Sequence, residues 1–338
     1  MSMSCRSIRG TRGGVSASPM RSSTAQGQAL ARRPCARVAA SADGADPSPP
    51  PARRAILGAG AAAAARLLWT PAARLGVPLS LWTLQPLSAR AGTGVGGPRF
   101  ASPEVQKELD RVLKSVVTKG KAAAGLRLSF HDAGTFSAAT KDGGVNASIQ
   151  YEFDRPESFG LKRGWRLVTT AEDQLKGTVA EGVSRADLVA LVGARAVALC
   201  GGPVIPVPIG RVDARVADPA NRMPGENLSA ADLKANFAAK GITVREMVAL
   251  SGAHTIGGKG FGQADVFDNA YYTSLLARPW LDKDNKMASM IGLPSDHVLP
   301  DDEECLPIIQ EYANDQAAFF EAFSAAYVKM CGLGVTWA

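Results

Sequence analysis

Positive charge in this 338-residue chain is crowded into one end, and that asymmetry limits how much of it can form a folded core. Residues 1–91 carry 12 Lys plus Arg against two acids, Asp43 and Asp46, a net +10. Residues 92–338 carry 26 basic and 29 acidic residues, a net −3. The formal +7 of the whole chain therefore belongs to its N-terminal segment. No basic stripe survives in the remainder, which argues against nucleic-acid binding. What is left is a mildly acidic stretch long enough for one domain with a sizeable core.

The first 91 residues read as an address. Residues 1–42 contain no acid and hold seven arginines among many Ser, Ala and Gly, a transit-peptide composition. The domain plan is a chloroplast transit peptide over 1–45, a linker plus twin-arginine-type lumenal signal over 46–91, and a folded domain over 92–338. The linker is DPSPPPA, and Arg53-Arg54 then precede the apolar AILGAGAAAAA. Ala89-Arg90-Ala91 matches an A-x-A cleavage site. Two tandem signals imply two membranes crossed, with the thylakoid lumen as the expected destination. The competing reading is a membrane anchor, but Arg66 and Arg74 interrupt the apolar stretch.

The remainder reads as mainly α, about ten helices joined by Gly-, Pro- and Asn-rich loops. A helix is expected over 102–120, opened by Ser-Pro-Glu and carrying Val105, Leu109, Val112, Leu113 and Val116 at helical spacing. The segment 126–136 is expected to lie on the next helix. Others are expected over 184–202 with Ser184 as N-cap, 229–241, 243–254 and 315–334. Strand signals are sparse, and VIPVPIG is broken by proline. Cys200, Cys305 and Cys331 have neither C-x-x-C nor zinc-ligand spacing. An odd number excludes a full disulfide framework. One bridge, Cys305 with Cys331, or three buried thiols remain open, and buried thiols are the expectation.

Two histidine-bearing segments carry the chemistry. In LRLSFHDAGTF, residues 126–136, Arg127 and His131 stand four apart and share one helix face. A neutral imidazole beside a guanidinium suits heterolysis of a peroxide. The imidazole takes a proton from one oxygen and returns it to the other, while the cation offsets the developing charge. His254, in MVALSGAHTIG, can hold iron from the opposite side. Alone, Arg127 and His131 would be an ordinary helix face; the two segments together change that reading. His297 is expected to be solvated, and the acidic run Asp301 to Glu304 to be a solvated loop or, as the minor reading, a docking surface.

These segments resemble the distal and proximal motifs of plant-type haem peroxidases. KDGGVNASI, SRADLVALVGARAVALCGGP, FDNAYYTSLL and LPSDHVL follow in the family's order. The resemblance runs from about residue 104 to 330 and is nearest to the intracellular, ascorbate-peroxidase-like class. It implies a two-lobed helical fold with haem b between distal and proximal helices. It implies that His131 is the distal acid–base and Arg127 its electrostatic partner. Asn146 would accept a hydrogen bond from His131, and Phe130 would stand beside the haem in place of the class's tryptophan. His254 would be the axial ligand, with Asp296 accepting its N–H. Thr255 and Asp268 match two ligands of a proximal site for a monovalent cation such as K+. Lys119 falls where the family has an ascorbate-contacting lysine.

The departures are specific. Only 12 residues separate His254 from the FDN motif. The longer loop of family members, with its ascorbate-binding arginine and proximal tryptophan, is missing. Gln150 replaces a usual arginine, and Ile209 a usual proline. Two functions follow as expectations. The first is a haem peroxidase that reduces hydrogen peroxide with a small electron donor, in response to oxidative stress. The second is a degenerate peroxidase fold that docks to a thylakoid complex such as photosystem II.

Overall fold

A computed structural model of the chain describes residues 96–338, so the expectations for the N-terminal signals lie outside the described residues. Ten α-helices and no strand occur among the described residues. None of the helices there is long and apolar enough to cross a membrane.

The helices form two groups. In the first, α1 (Pro103–Val116), α2 (Lys119–Ala133), α3 (Lys162–Leu175) and α4 (Arg185–Leu199) pack on one another. Ser102 caps α1 by accepting from the Val105 N–H, and Pro103 opens it. The helix expected over 102–120 is in fact two. The backbone turns extended at Val117 and Thr118, where a Val-Val-Thr run resists the helical rotamer, and α2 starts afresh. α4 is buried almost all round, as a helix at the centre of a helical protein must be. Gly193 sits where α4 meets two neighbours. A Cβ there would lie 2.1 Å from the Tyr327 hydroxyl and 2.3 Å from Ser129 Oγ. Those two hydroxyls donate to the Ala190 and Val189 carbonyls of α4.

The second group comprises α5 (Ala230–Ala238), α6 (Val244–Ser251), α7 (Ala270–Ala277), α8 (Pro294–His297), α9 (Cys305–Asn314) and α10 (Gln316–Met330). α6 begins with a reciprocal capping box between Thr243 and Glu246. It ends at Ser251 and tightens into a 3-10 turn over Gly252–Thr255, so His254 stands on that turn and not on the α-helix itself. The acidic run is largely solvated, with Asp301 and Glu304 exposed, and it also carries ion pairs. Asp302 and Glu304 pair with Lys234 of α5 at 2.8 and 2.6 Å, Asp301 pairs with Arg278, and Asp302 also caps the start of α9.

A buried ion pair joins the two groups. Arg211 and Asp187 lie 2.9 Å apart with side chains 0% and 3% exposed. Asp187 also accepts from the Gly210 and Arg211 N–H groups, while Arg211 donates from Nε and Nη2 to the Cys331 carbonyl at the end of α10. Trp337 covers the guanidinium at 5.0 Å. Next to it, the Ile209 N–H donates to Arg99 across an isolated bridge, a bond that a proline at this position could not make. The three cysteines of this domain are buried free thiols, so no bridge joins Cys305 to Cys331. Burial pushes their thiols up, Cys305 to about 12 and Cys331 to about 11, which keeps them unreactive.

Arg211→Leu strands the Asp187 carboxylate inside the protein. It is expected to lower unfolding stability by about 3–5 kcal/mol, the usual cost of breaking a buried pair from one side. Urea denaturation of the protein measures this; a loss below about 1 kcal/mol would place the pair among weak surface bridges.

Candidate active site

The distal face is built on the last two turns of α2. His131 is buried, and its Nδ1 has no hydrogen-bond partner. Burial, with a further push from the Arg127 charge, drops its pKa to about 3, so the ring is neutral across the physiological range. Phe130 meets it edge-on at 6.0 Å and stacks on Phe237 of α5. Arg127 lies one turn back. Its guanidinium donates to the carbonyls of Phe159 and Glu157 at 2.8 and 3.1 Å, which fixes it against the loop that follows the 3-10 turn at Pro156–Ser158.

Asn146 does not serve His131, contrary to the sequence expectation. Its Nδ2 donates to both oxygens of Asp218, at 3.1 and 3.2 Å, and its Oδ1 accepts from the Ser148 N–H. The cause is the residue after His131. Asp132 is fully buried and accepts from the N–H groups of Asn146, Ala147 and Ile149, which clamps the 146–149 loop and turns the Asn146 side chain toward Asp218. Ala147 is held there at φ 61°, a left-handed conformation that costs an L-residue about 1–2 kcal/mol. Burial pushes the Asp132 carboxyl up to about 8 against the pull of the Ala147 and Ile149 N–H groups, and the Asp218 and Glu152 charges add to the rise. Sequence reasoning missed Asp132. Its signal was a carboxylate in an otherwise apolar stretch of helix.

The proximal face centres on His254. Its Nδ1 lies 2.9 Å from Asp296 Oδ1. Tyr271 donates its hydroxyl to the same oxygen at 2.9 Å, and the Leu293 N–H donates to the other at 2.8 Å. Desolvation pulls the His254 pKa down, but the Asp296 charge and hydrogen bond outweigh it and the net shift is upward. Asp296 is desolvated too, yet its imidazole, backbone and phenol partners hold it below the usual carboxylate range. The His254 side chain is 36% accessible although it is strongly desolvated, as befits a ring that faces a crevice. Its Nε2 has no hydrogen-bond partner among the described residues, so the nitrogen suited to a metal is free. The shortened loop after His254 delivers Phe261, fully buried and edge-on to Tyr271 at 4.8 Å.

The remaining expected residues lie apart from these bonds. Thr255 donates to Asp268 Oδ1 at 2.8 Å, and no cluster of three or more His, Cys or acidic side chains able to hold a metal occurs among the described residues. The Lys119 ammonium is bonded to Asp265 at 3.2 Å on the surface. His297 is half-buried rather than solvated. Its ring stacks on Trp280 at 4.4 Å and its Nε2 lies 2.6 Å from the Ile291 carbonyl.

Residues 222–226 strap the two faces together. Arg222 donates to the Thr135 carbonyl just past α2, and a Cβ on Gly134 would meet the Met223 sulfur at 2.2 Å. Three residues on, the Glu226 carbonyl accepts from the Ser295 N–H of α8. The Glu226 charge acts on Arg127 and on His254 alike, so both lie within electrostatic reach of one carboxylate. The free Nε2 of His254, and the neutral, buried His131 with the Arg127 guanidinium one turn away, are side chains of the chemistry that could hold a haem and act on a peroxide.

Residues 105–265 match the protein family described as Peroxidase. The chain is 50% identical over 234 residues to the Arabidopsis thaliana protein named "Putative L-ascorbate peroxidase 6", covering 69% of this chain and 70% of that one. It is 33% identical over 243 residues to "L-ascorbate peroxidase 5, peroxisomal" of the same plant, covering 68% of this chain and 82% of that one. It is 31% identical over 243 residues to "L-ascorbate peroxidase 1, cytosolic" of Oryza sativa subsp. indica, covering 68% and 92%. The chain belongs to the plant haem peroxidase superfamily, in its ascorbate-peroxidase-like class.

Proposed function

We propose that the processed protein reduces hydrogen peroxide to water at the expense of a small electron donor and so protects its compartment against oxidative stress. The observation that carries this reading is the His254–Asp296 bond, which leaves Nε2 of His254 free for iron. Haem b, when bound, supplies an iron that reacts with peroxide and carries the oxidising equivalents. His254 would hold that iron, and Asp296 fixes the ring orientation and makes the imidazole more electron-donating.

His131 provides the proton chemistry. Its neutral ring can accept the proton of an incoming peroxide and return it to the leaving oxygen. The charge of Arg127 favours the developing oxyanion. Its bonds to Phe159 and Glu157 carbonyls preset its position, so little reorganisation is needed. No side chain fixes the tautomer of His131, since Nδ1 is unpartnered. This predicts a slower proton transfer than an asparagine-held histidine would give.

The names of the relatives make ascorbate the first donor to test. Lys119 supports it weakly, because Asp265 already neutralises its charge, and a phenolic donor fits as well. A monovalent cation such as K+ would join Thr255 and Asp268 only if the Thr255 hydroxyl turned its proton away from Asp268. The composition of residues 1–91 supports delivery to the thylakoid lumen. Docking to a thylakoid complex has less support, because Asp301, Asp302 and Glu304 are spent on pairs within the domain.

Two measurements test the reading. Stopped-flow spectra of the haem-loaded protein should shift on adding peroxide, and His131→Leu should slow that shift by about 10²–10⁴-fold while haem stays bound. A rate unchanged in the variant would remove His131 from the mechanism. Because the pKa of His131 is depressed to about 3, the acceptor form persists as pH falls. The peroxide rate should therefore stay level from neutrality to about pH 4 and drop only below it. A break near pH 6.5, the ordinary histidine value, would show an imidazole in contact with water.

A further inference from the structure

One carboxylate at the edge of the site has no partner. Glu226 is exposed, and none of the ion pairs among the described residues includes it. Its carbonyl accepts from the Ser295 N–H at 3.0 Å, one residue before Asp296, which pins its backbone to the proximal side. Three residues earlier the same strap lies on the end of α2, where a Cβ on Gly134 would meet the Met223 sulfur. From this position the Glu226 charge reaches both Arg127 and His254, and it is the only charge among the described residues that acts on Arg127. Phe159 adjoins the same guanidinium. Its carbonyl accepts from Arg127 at 2.8 Å, and the residue is 85% exposed.

The cations that could receive a negatively charged donor are otherwise placed. Lys119 is neutralised by Asp265 at 3.2 Å. Arg127 is held by two backbone carbonyls and serves the peroxide in the reading above. Lys259 acts on His254 but not on Arg127, so it belongs to the proximal side alone. A lone exposed carboxylate draws in a cation and repels an anion, by a few-fold in dilute salt and by little in concentrated salt. Ascorbate is an anion at neutral pH, so Glu226 opposes it.

We propose that Glu226 is a specificity-determining residue that makes the donor site prefer a cationic aromatic donor, such as a phenol bearing an ammonium group, over an anionic one. The inference rests on the haem peroxidase reading above and narrows its donor class. The open ring of Phe159 offers a face for the donor's ring, and Glu226 receives its ammonium group. The phenol hydroxyl gives up one electron and one proton whatever group the ring carries at its far end. Donor charge therefore alters binding and leaves the electron transfer alone.

The test uses the haem-loaded protein and a matched pair of phenols, tyramine with its ammonium group and para-hydroxyphenylpropionate with its carboxylate. KM and kcat are measured for each, with ascorbate alongside, under excess hydrogen peroxide in about 0.01 M and about 1 M salt. In dilute salt the KM for tyramine is expected to be about fivefold lower, with similar kcat values, and the gap should close in concentrated salt. Glu226→Gln should erase the preference and Glu226→Lys should invert it, whereas Lys259→Gln should leave tyramine favoured. The salt series on the unsubstituted protein keeps the test decisive if a variant does not fold. Equal KM values in dilute salt, a preference for the anion, a preference that survives Glu226→Gln, or turnover of ascorbate with neither phenol oxidised overturns the assignment and leaves the peroxidase reading standing. A protein that takes up no haem overturns both.

Discussion

A single buried carboxylate organises the proximal half of this protein. Asp296 is almost wholly removed from water, and its oxygens are satisfied by an imidazole, a phenol and a backbone N–H. A buried charge is tolerable only with such a set of donors. Each partner comes from a different part of the chain: the 3-10 turn after α6, the first turn of α7, and the residue before α8. Holding the charge therefore fixes the mutual placement of three elements. The same geometry keeps Nδ1 of His254 engaged and Nε2 available, so structural and chemical roles rest on one oxygen pair. In the short segment between His254 and Asp268, Phe261 is buried and packs edge-on against Tyr271, closing the hydrophobic wall.

The distal half obeys the same economy with a different outcome. Asp132 takes three backbone N–H groups and so decides the course of the loop at 146–149. The clamp commits Asn146 to Asp218 and leaves Nδ1 of His131 bare. An imidazole with no second partner is freer to rotate and to change tautomer than one held at both nitrogens. The strap at 222–226 then becomes important, since it is bonded to the distal side through Arg222 and to the proximal side through the Glu226 carbonyl. It puts an unpaired carboxylate, Glu226, within range of both Arg127 and His254.

Much of the fold was legible because helix ends announce themselves. Ser102, Ser184, Ser229 and Thr243 each accept a hydrogen bond from the third residue of the helix they open. The break at Val117–Thr118 was hidden, because apolar spacing continues through it and only the β-branched run betrays the stop. The site divided similarly. His131, Arg127, His254 and Asp296 stand in segments whose order along the chain points to them. The partner of Asn146 was not legible, since it lies 72 residues on, in a loop with no pattern of its own. Asp132 and Tyr271 went unread for a related reason. Their importance comes from burial and from hydrogen bonds to the right neighbours, three backbone N–H groups for Asp132 and the Asp296 carboxylate for Tyr271, and spacing reports neither.

Resonance Raman spectroscopy of the haem-loaded, reduced protein addresses most directly the claim that Asp296 holds His254 as an electron-rich axial ligand. The account predicts an iron–histidine stretching band that disappears in His254→Ala and moves to lower frequency in Asp296→Asn, where the amide can no longer draw on the imidazole proton as a carboxylate does. A protein that binds haem without that band, or a band indifferent to Asp296→Asn, would contradict it.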